Sequence, residues 1–261
     1  MVKRAKEANG PVRRKAVLDH VAIAAPELTD GWELFGAVLG GTWVYGGDSP
    51  GFWWGQLGFR TGPKIELLTP TGGPDAVFLE RFLAAREAGP HHLNFIVPDI
   101  NETLSRVRAL GIEPVQVSLA NPAWKEAFLH PKDVHGIVIQ VAEQSGPPPR
   151  LPAPAQLPVP GPPTAFAVVE HHVSDLDDAV RLYAEVLDGQ VVSSPDIREA
   201  SVAEVAWDNG ARLRLAALAG GSGGRLGSLT FVRDGESFSA AEGKRAAHLA
   251  RRLAVSLELN A

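Results

Sequence analysis

The chain contains no cysteine, one methionine and two tyrosines among its 261 residues. The absence of cysteine excludes disulfide bonds, thiolate nucleophiles and sulfur ligands for zinc. No apolar run reaches the roughly 18 residues of a membrane-spanning helix, and the first residues lack the apolar segment of a secretion signal. We therefore expect no membrane partner and, by default, a cytoplasmic location.

Positive charge is also scarce, because the formal net charge is -5 and the isoelectric point is near 5.9. General binding to nucleic acids or anionic membranes needs clustered positive charge, so we expect neither partner. The basic residues that do cluster lie within residues 1–15: Lys3, Arg4, Lys6, Arg13, Arg14 and Lys15. A block of like charge without an apolar period is typical of a flexible, solvated tail.

The most informative feature of the chain is a strand-like segment, GPHHLNFIVPD, at residues 89–99. Alternate residues of a strand face opposite sides, so Leu93, Phe95 and Val97 share an apolar face. His92 and Asn94 share the other face. His91 falls in the opposite phase, which predicts a surface position or a contact with a helix.

The same segment occurs earlier in the chain as DHVAIAAP at residues 19–26. A shift of 72 positions places His20 on His92 and Pro26 on Pro98. Each copy later reaches a strand with one polar residue among aliphatic ones, namely Glu66 and Gln140. These residues follow His20 and His92 by 46 and 48 positions. The near-equal spacing indicates two copies of one structural unit.

Each copy reads as a strand, a helix and three further strands, which predicts an α+β fold of tandem βαβββ modules. Glycine pairs and glycine-proline turns separate the segments. The predicted strands of the first copy are residues 18–25, 42–45, 51–59 and 64–68, with a helix over 29–39. In the second copy a helix over 101–110 precedes strands at 114–118, 125–129 and 136–141.

Residues 145–164 are too rich in proline for a helix or a central strand. We interpret them as a semi-extended linker between a metal-binding domain at 16–144 and a second domain at 165–261. The second domain contains a third module, whereas a fourth begins near residues 226–257 and lacks its last three strands. We therefore expect a degenerate second domain and an amino-terminal half that folds independently.

The residues His20, Glu66, His92 and Gln140 share one strand phase, opposite to the apolar residues of the same strands. A single polar residue on a strand is commonly just hydrogen-bonded or solvent-facing. Four in equivalent positions instead favour a site for a divalent metal, because imidazole, carboxylate and amide oxygen are suitable ligands.

The second domain lacks these ligands, since the positions equivalent to His20 and His92 hold Val168 and Gly227. Glu170 and His172 could still share a site, because they are two residues apart on one strand. We predict a structural or partner-binding role for this domain.

Residues 18–143 resemble the vicinal oxygen chelate superfamily, the glyoxalase and bleomycin-resistance fold. The segments KIELLTP, GPHHLNFIVPDI and FLHPKDVHGIVIQ are most similar to the methylmalonyl-CoA epimerase family and related glyoxalase-like proteins. The resemblance implies paired βαβββ modules that bind a divalent ion through His20, Glu66, His92 and Gln140. It further implies that the ion chelates two neighbouring substrate oxygens and stabilises an enolate.

One position departs from the family pattern. Where related isomerases carry a glutamate that assists proton transfer, this chain has Gln140, whose carboxamide cannot act as a general base. Two candidates for the proton acceptor remain: Asp48 in a GGDSPG turn, close to where the related epimerases carry a second acidic group, and Glu66 if it leaves the metal to act as a base. An aspartate in such a turn is also a common turn former.

Two functions from different classes follow. The first is a metal-dependent enzyme, most similar to an epimerase, isomerase or lyase, that acts on a small carbonyl, hydroxy-acid, 2-oxo-acid or acyl-CoA substrate. The second is a non-catalytic protein that sequesters a small molecule in an aromatic cleft near Phe52, Trp53, Trp54 and Trp124. The sequence leaves open the metal (zinc, cobalt, nickel, manganese or iron) and whether the chain forms a homodimer.

Overall fold

The computed structural model describes residues 15–146, 151–192, 202–217, 224–235 and 237–261, and within them fourteen strands form two sheets. The α+β class predicted from the sequence is confirmed. The predicted basic tail, apart from Lys15, lies outside the described residues. Among the helices of the described ranges, none is both long and apolar enough to cross a membrane.

The first sheet contains eight strands in the order β2-β3-β4-β1-β5-β8-β7-β6. Their bounds are β1 Val17–Ala24, β2 Thr42–Ser49, β3 Phe52–Gly58, β4 Lys64–Pro70, β5 Gly89–Ile96, β6 Val115–Ser118, β7 Trp124–Leu129 and β8 Val138–Gln144. Strands β1 and β5 are antiparallel neighbours at the centre, and each pairs in parallel with the last strand of its own module. Strands β1 and β5, the first strands of the two modules, are therefore related by a local twofold axis.

Apart from two short 3-10 helices at Pro74–Ala76 and Pro131–Asp133, five helices connect the strands in the described residues. Helix α1 begins as Thr29–Gly31 and continues as a π-helix over Trp32–Val38, and α4 continues from Leu176–Val180 as a π-helix over Arg181–Val186. The other three are α2 Val77–Arg86, α3 Ile100–Ala109 and α5 Ala240–Arg252. Asp99 caps α3 by accepting hydrogen bonds from two backbone N–H groups. Ser239 and Glu242 form a reciprocal capping box at α5.

The second sheet has the order β10-β11-β12-β9-β13-β14. Its strands are β9 Ala165–Val173, β10 Gln190–Val192, β11 Val202–Ala206, β12 Arg212–Ala217, β13 Arg225–Val232 and β14 Ser256–Asn260. Strand β14 pairs in parallel with β13, as β4 does with β1. The prediction that the fourth module lacks its last three strands is therefore wrong: α5 leads directly into a strand in the last position, and the intervening hairpin is missing.

The two sheets share one hydrophobic core. Phe59 contacts Phe166 and Phe231 across the boundary between the halves, and Phe95 contacts Tyr183 and Trp207. Full burial of a large apolar side chain is worth about 1.5–3 kcal/mol, so these contacts contribute substantially to stability. This packing argues against the independent folding that we expected of the amino-terminal half.

The proline-rich segment 151–164 lies against the first module. The indole Nε1 of Trp43 donates to the carbonyl of Leu151 at 2.9 Å, and the Thr164 hydroxyl donates to the carbonyl of Leu39 at 2.6 Å. The Gly161 N–H donates to the carbonyl of Gly36 in α1 at 3.2 Å. The segment is thus held against the first module at these three points instead of acting as a free spacer.

Candidate metal centre

The alternation of β1 and β5 directs histidines away from the core. Val21 and Ile23 are fully buried in the shared core, whereas His20 faces the opposite side of the sheet. The β1–β5 register shifts between Leu18 and His20, where two steps along β1 match one step along β5. This bulge allows Leu18 to face the core and still leaves His20 on the cleft side.

Three predicted ligands meet on this cleft face. The Nε2 atoms of His20 and His92 lie 3.6 and 3.9 Å from Oε1 of Glu66, and the imidazole centroids are 5.6 Å apart. One candidate ligand atom from each residue lies within 4.8 Å of the other two. His20, His92 and Glu66 are 2%, 5% and 7% exposed, so water has little access to them.

The chemistry of this triad fits a divalent metal ion. Both imidazole Nε2 atoms are buried and have no hydrogen-bond partner among the described residues, a costly state that a bound cation would relieve. Burial, together with the nearby His91 and His20, holds the pKa of His92 well below its usual range, although a contact with Gln140 opposes this. A neutral imidazole keeps a lone pair free for a metal.

A carboxylate outside the triad orients His20. Asp19 Oδ2 lies 2.8 Å from His20 Nδ1, and Lys64 Nζ donates to Asp19 Oδ1 at 2.8 Å. Burial alone would raise the pKa of Asp19, but the hydrogen bond from His20 and the charge of Lys64 lower it to about 2. The ionised carboxylate accepts the proton on Nδ1, which leaves Nε2 to face Glu66.

His91 supports the second histidine, and its predicted helix contact is present. Its ring packs against Phe78 and Phe82, and burial lowers its pKa to about 4. The Nδ1 atoms of His91 and His92 lie 2.9 Å apart, so one must donate and the other accept. If His92 donates from Nδ1, its Nε2 carries the lone pair that the triad requires.

Each module adds a pair that consists of one carboxylate and one carboxamide. In the first module, Gln56 Nε2 on β3 donates to Glu66 Oε2 on β4 at 2.7 Å. In the second, Gln140 Nε2 on β8 donates to Glu126 Oε2 on β7 at 2.7 Å. The two pairs are reversed, because the last strand carries the acid in one module and the amide in the other.

Gln56 and Glu126 were not among the residues that the sequence analysis selected. Gln56 is the one polar residue of the apolar and aromatic strand β3, a signal that alternation could have revealed. Glu126 is harder to find, because β7 also contains Lys125. Asn94 also faces the cleft between His20 and Gln140, and both polar atoms of its fully buried side chain lack a partner within the described residues.

Neither Asp48 nor Trp53 joins the triad on the cleft face. Asp48 lies on β2 opposite Trp53, and its side chain is exposed. Trp53 packs with Trp32 and Trp43 on the core side, so it does not line the cleft.

The other predicted aromatic residues do lie towards the cleft. Phe52 and Trp54 pack against a small apolar cluster of Ala22, Ala24, Leu68 and Leu79. Trp124 Nε1 donates to Glu126 Oε2 at 2.8 Å.

The second sheet holds a different cluster at the equivalent place. His172 Nε2 lies 3.5 Å from Glu170 Oε1, and the Ser228 hydroxyl lies 2.9 Å from both Glu170 Oε2 and Glu258 Oε1. A side chain at Gly227 would collide with Glu170 and His172. Within the described part of the chain, only one group of three histidine, aspartate or glutamate side chains is close enough together to hold one metal ion. That group is His20, Glu66 and His92.

Comparison with known proteins assigns the family. A family model described as a glyoxalase-like domain matches residues 18–187, which include both modules of the first sheet and the start of the third module. The chain belongs to this glyoxalase-like, vicinal oxygen chelate family. The resemblance read from the sequence motifs is therefore confirmed.

Relatives in this family include curated epimerases. The chain is 34% identical over 136 residues to ethylmalonyl-CoA/methylmalonyl-CoA epimerase of Cereibacter sphaeroides, which covers 48% of this chain and 96% of that protein. It is 30% identical over 136 residues to mitochondrial methylmalonyl-CoA epimerase of Dictyostelium discoideum, which covers 49% of this chain and 78% of that protein.

A solved structure extends the likeness to both sheets. A variant of 4-hydroxymandelate synthase from Streptomyces coelicolor superimposes with a TM-score of 0.57 and 12% identity. The match covers 90% of this chain and 75% of that one. At this identity the likeness is one of fold, and it places the two sheets of this chain within one known architecture.

Proposed function

We propose that this protein is a metal-dependent enzyme that removes and returns the proton on the carbon beside an acyl-CoA thioester carbonyl. The observation that carries the proposal is the convergence of two buried imidazole nitrogens, which lack a partner among the described residues, on the buried Glu66 carboxylate. The epimerase relatives support the choice of an acyl-CoA, as their names state the substrates on which they act.

The side chains of the chain would hold the ion and orient it. His20, His92 and Glu66 would supply the ligand atoms, and Gln140 would supply a fourth oxygen. The chemistry that a divalent ion would supply there is Lewis-acid polarisation of a carbonyl oxygen, which would make the neighbouring C–H bond more acidic. Burial of these residues excludes water, which strengthens electrostatic interactions within the cleft.

The choice of proton acceptor follows from the positions of the acidic residues. Gln140 cannot accept a proton from carbon, and Asp48 is exposed on β2. Glu66 is buried within the triad, and its Oε2 is held by Gln56. Glu66 is therefore the acceptor that the geometry favours over Asp48, and it would take the proton after its carboxylate leaves the ion.

The first test measures metal content. Elemental analysis of the purified protein is expected to find about one divalent ion per chain, and the double variant His20→Ala/His92→Ala should lose it. His248→Ala is a matched control, because His248 is exposed on α5. Equal metal content in wild type and in the double variant would contradict the proposed site.

The second test measures the chemistry. The metal-loaded protein is incubated in deuterated water with acyl-CoA thioesters or with 2-oxo acids, and deuterium incorporation is read by mass spectrometry. Incorporation from thioesters that is lost in Glu66→Gln supports the proposal. No incorporation from any thioester, with tight binding of the same compounds, would instead favour a sequestering protein.

A further inference from the structure

The reversed pairs at the cleft assign a role to Glu126. Glu126 is partly buried on β7, and its Oε2 accepts hydrogen bonds from Gln140 Nε2 at 2.7 Å and from Trp124 Nε1 at 2.8 Å. A carboxylate can only accept, and the indole N–H can only donate. The amide nitrogen of Gln140 must therefore face Glu126, which turns the amide oxygen the other way.

This orientation matters because the two ends of a carboxamide are nearly equal in shape and opposite in function. The oxygen of Gln140 can approach a cation, whereas its NH₂ group cannot. Gln140 is 8% exposed and contacts His92, so a turned amide would direct N–H groups towards the triad. Some neighbouring group has to select one orientation.

We propose that Glu126 is a positioning residue of this centre, which holds the Gln140 nitrogen outward and its oxygen towards the histidines. The inference rests on the proposed metal site. Gln56 performs the mirror-image task in the first module, where it donates to Glu66 Oε2 and leaves Oε1 to face His20 and His92. In each module, one oxygen of Glu66 or Gln140 thus faces the histidines. The other polar atom of the same side chain makes the hydrogen bond that fixes its orientation.

The reversed pairs provide a swap that tests the hydrogen bond itself. Gln140→Glu alone would place two carboxylates at the 2.7 Å contact and remove its only proton donor. The double variant Glu126→Gln/Gln140→Glu restores one donor and one acceptor, and it copies the polarity of the Gln56–Glu66 pair. The unfolding temperature of the metal-free protein should fall in the single variant and recover in the double variant.

Affinity for Co²⁺, measured by competition with a chromophoric chelator, tests the positioning. Glu126→Leu removes the acceptor, and we expect about 10- to 100-fold weaker binding and an altered visible absorption band of the bound ion. Glu126→Gln keeps an acceptor oxygen without the charge, so we expect binding within about threefold of wild type. Glu80→Leu, at an exposed position of α2, should change neither quantity.

Three outcomes separate the claims. If wild type binds no Co²⁺, the proposed metal site is wrong, and this inference falls with it. If wild type binds but Glu126→Leu binds equally with the same absorption band, only the positioning role is overturned. If Glu126→Gln is as weak as Glu126→Leu, Glu126 acts through its charge and not through the orientation of Gln140, which also overturns the inference.

Discussion

His171 is a fully buried histidine on β9, in the second sheet. Its Nε2 donates to the carbonyl of His135 at 2.8 Å, and its Nδ1 accepts from the Tyr183 hydroxyl at 2.9 Å. Burial is the main cause that lowers its pKa to about 4, although the hydrogen bond to His135 opposes this. His171 is therefore neutral in the folded protein and becomes charged on unfolding in weak acid.

The pH dependence of stability follows from this difference. The unfolded chain takes up the proton near pH 6.5 and the folded chain only near pH 4. The contribution of the neutral His171 to the free energy of unfolding is therefore fully present above pH 6.5. Roughly 3 kcal/mol of it is lost as the pH falls to about 4.

His171→Gln keeps one donor and one acceptor but does not titrate, so its urea midpoint should fall less between pH 7 and pH 4.5. The exposed His248→Gln is the control, which should keep the wild-type slope. A full wild-type slope in His171→Gln would contradict the assignment.

Residue-level alternation predicted much of the site but not its partners. Strand parity placed His20, Glu66 and His92 on one face, because side-chain direction depends only on position along a strand. The roles of Gln56 and Glu126 depend on side-chain pairing between neighbouring strands and on the direction of a carboxamide. Neither is fixed by the periodicity of one strand, so these contacts appear only in three dimensions.

At the scale of elements, the docked proline-rich segment shows the limit of composition. Proline density excludes a helix and a central strand, and residues 151–164 form neither. The segment is anchored on the backbone carbonyls of Gly36 and Leu39 and on the indole N–H of Trp43, which composition does not reveal. The composition of the fourth module likewise did not predict how that module ends. Only the parallel pairing of β13 and β14 identifies its missing hairpin.

Gly161 tests how tightly this segment is docked. A Cβ atom at this position would lie 2.2 Å from the carbonyl oxygen of Ala37 in α1. Gly161→Ala should therefore force the segment outward and destabilise the fold by about 1–3 kcal/mol.

The matched control is Gly243→Ala in α5, where nothing lies within 4 Å of the added atom. Because alanine stabilises a helix relative to glycine, the free energy of unfolding of this control variant should rise by up to about 1 kcal/mol. Urea unfolding measures both variants. An unchanged midpoint in Gly161→Ala would indicate that the segment is not held against α1.

At the scale of the whole molecule, the shared core links the two sheets. Without the carboxy-terminal half, Phe59 would lose Phe166 and Phe231, and Phe95 would lose Tyr183 and Trp207. We expect a fragment of residues 1–146 to aggregate or to bind a hydrophobic dye, as partly folded chains with exposed apolar surface do. A two-dimensional NMR spectrum with wide dispersion from this fragment would contradict the prediction.

The pairing of α5 with α1 has a consequence for synthesis on the ribosome. Arg252 and Arg245 of α5 form ion pairs with Asp30 and Glu33 of α1, and Asp30 and Arg252 lie 222 positions apart. At typical translation rates, the ribosome adds Arg252 roughly 10–45 s after Asp30. Helix α1 can therefore form these ion pairs only after the 222 following positions have been translated, so the first module completes its packing late relative to its own synthesis.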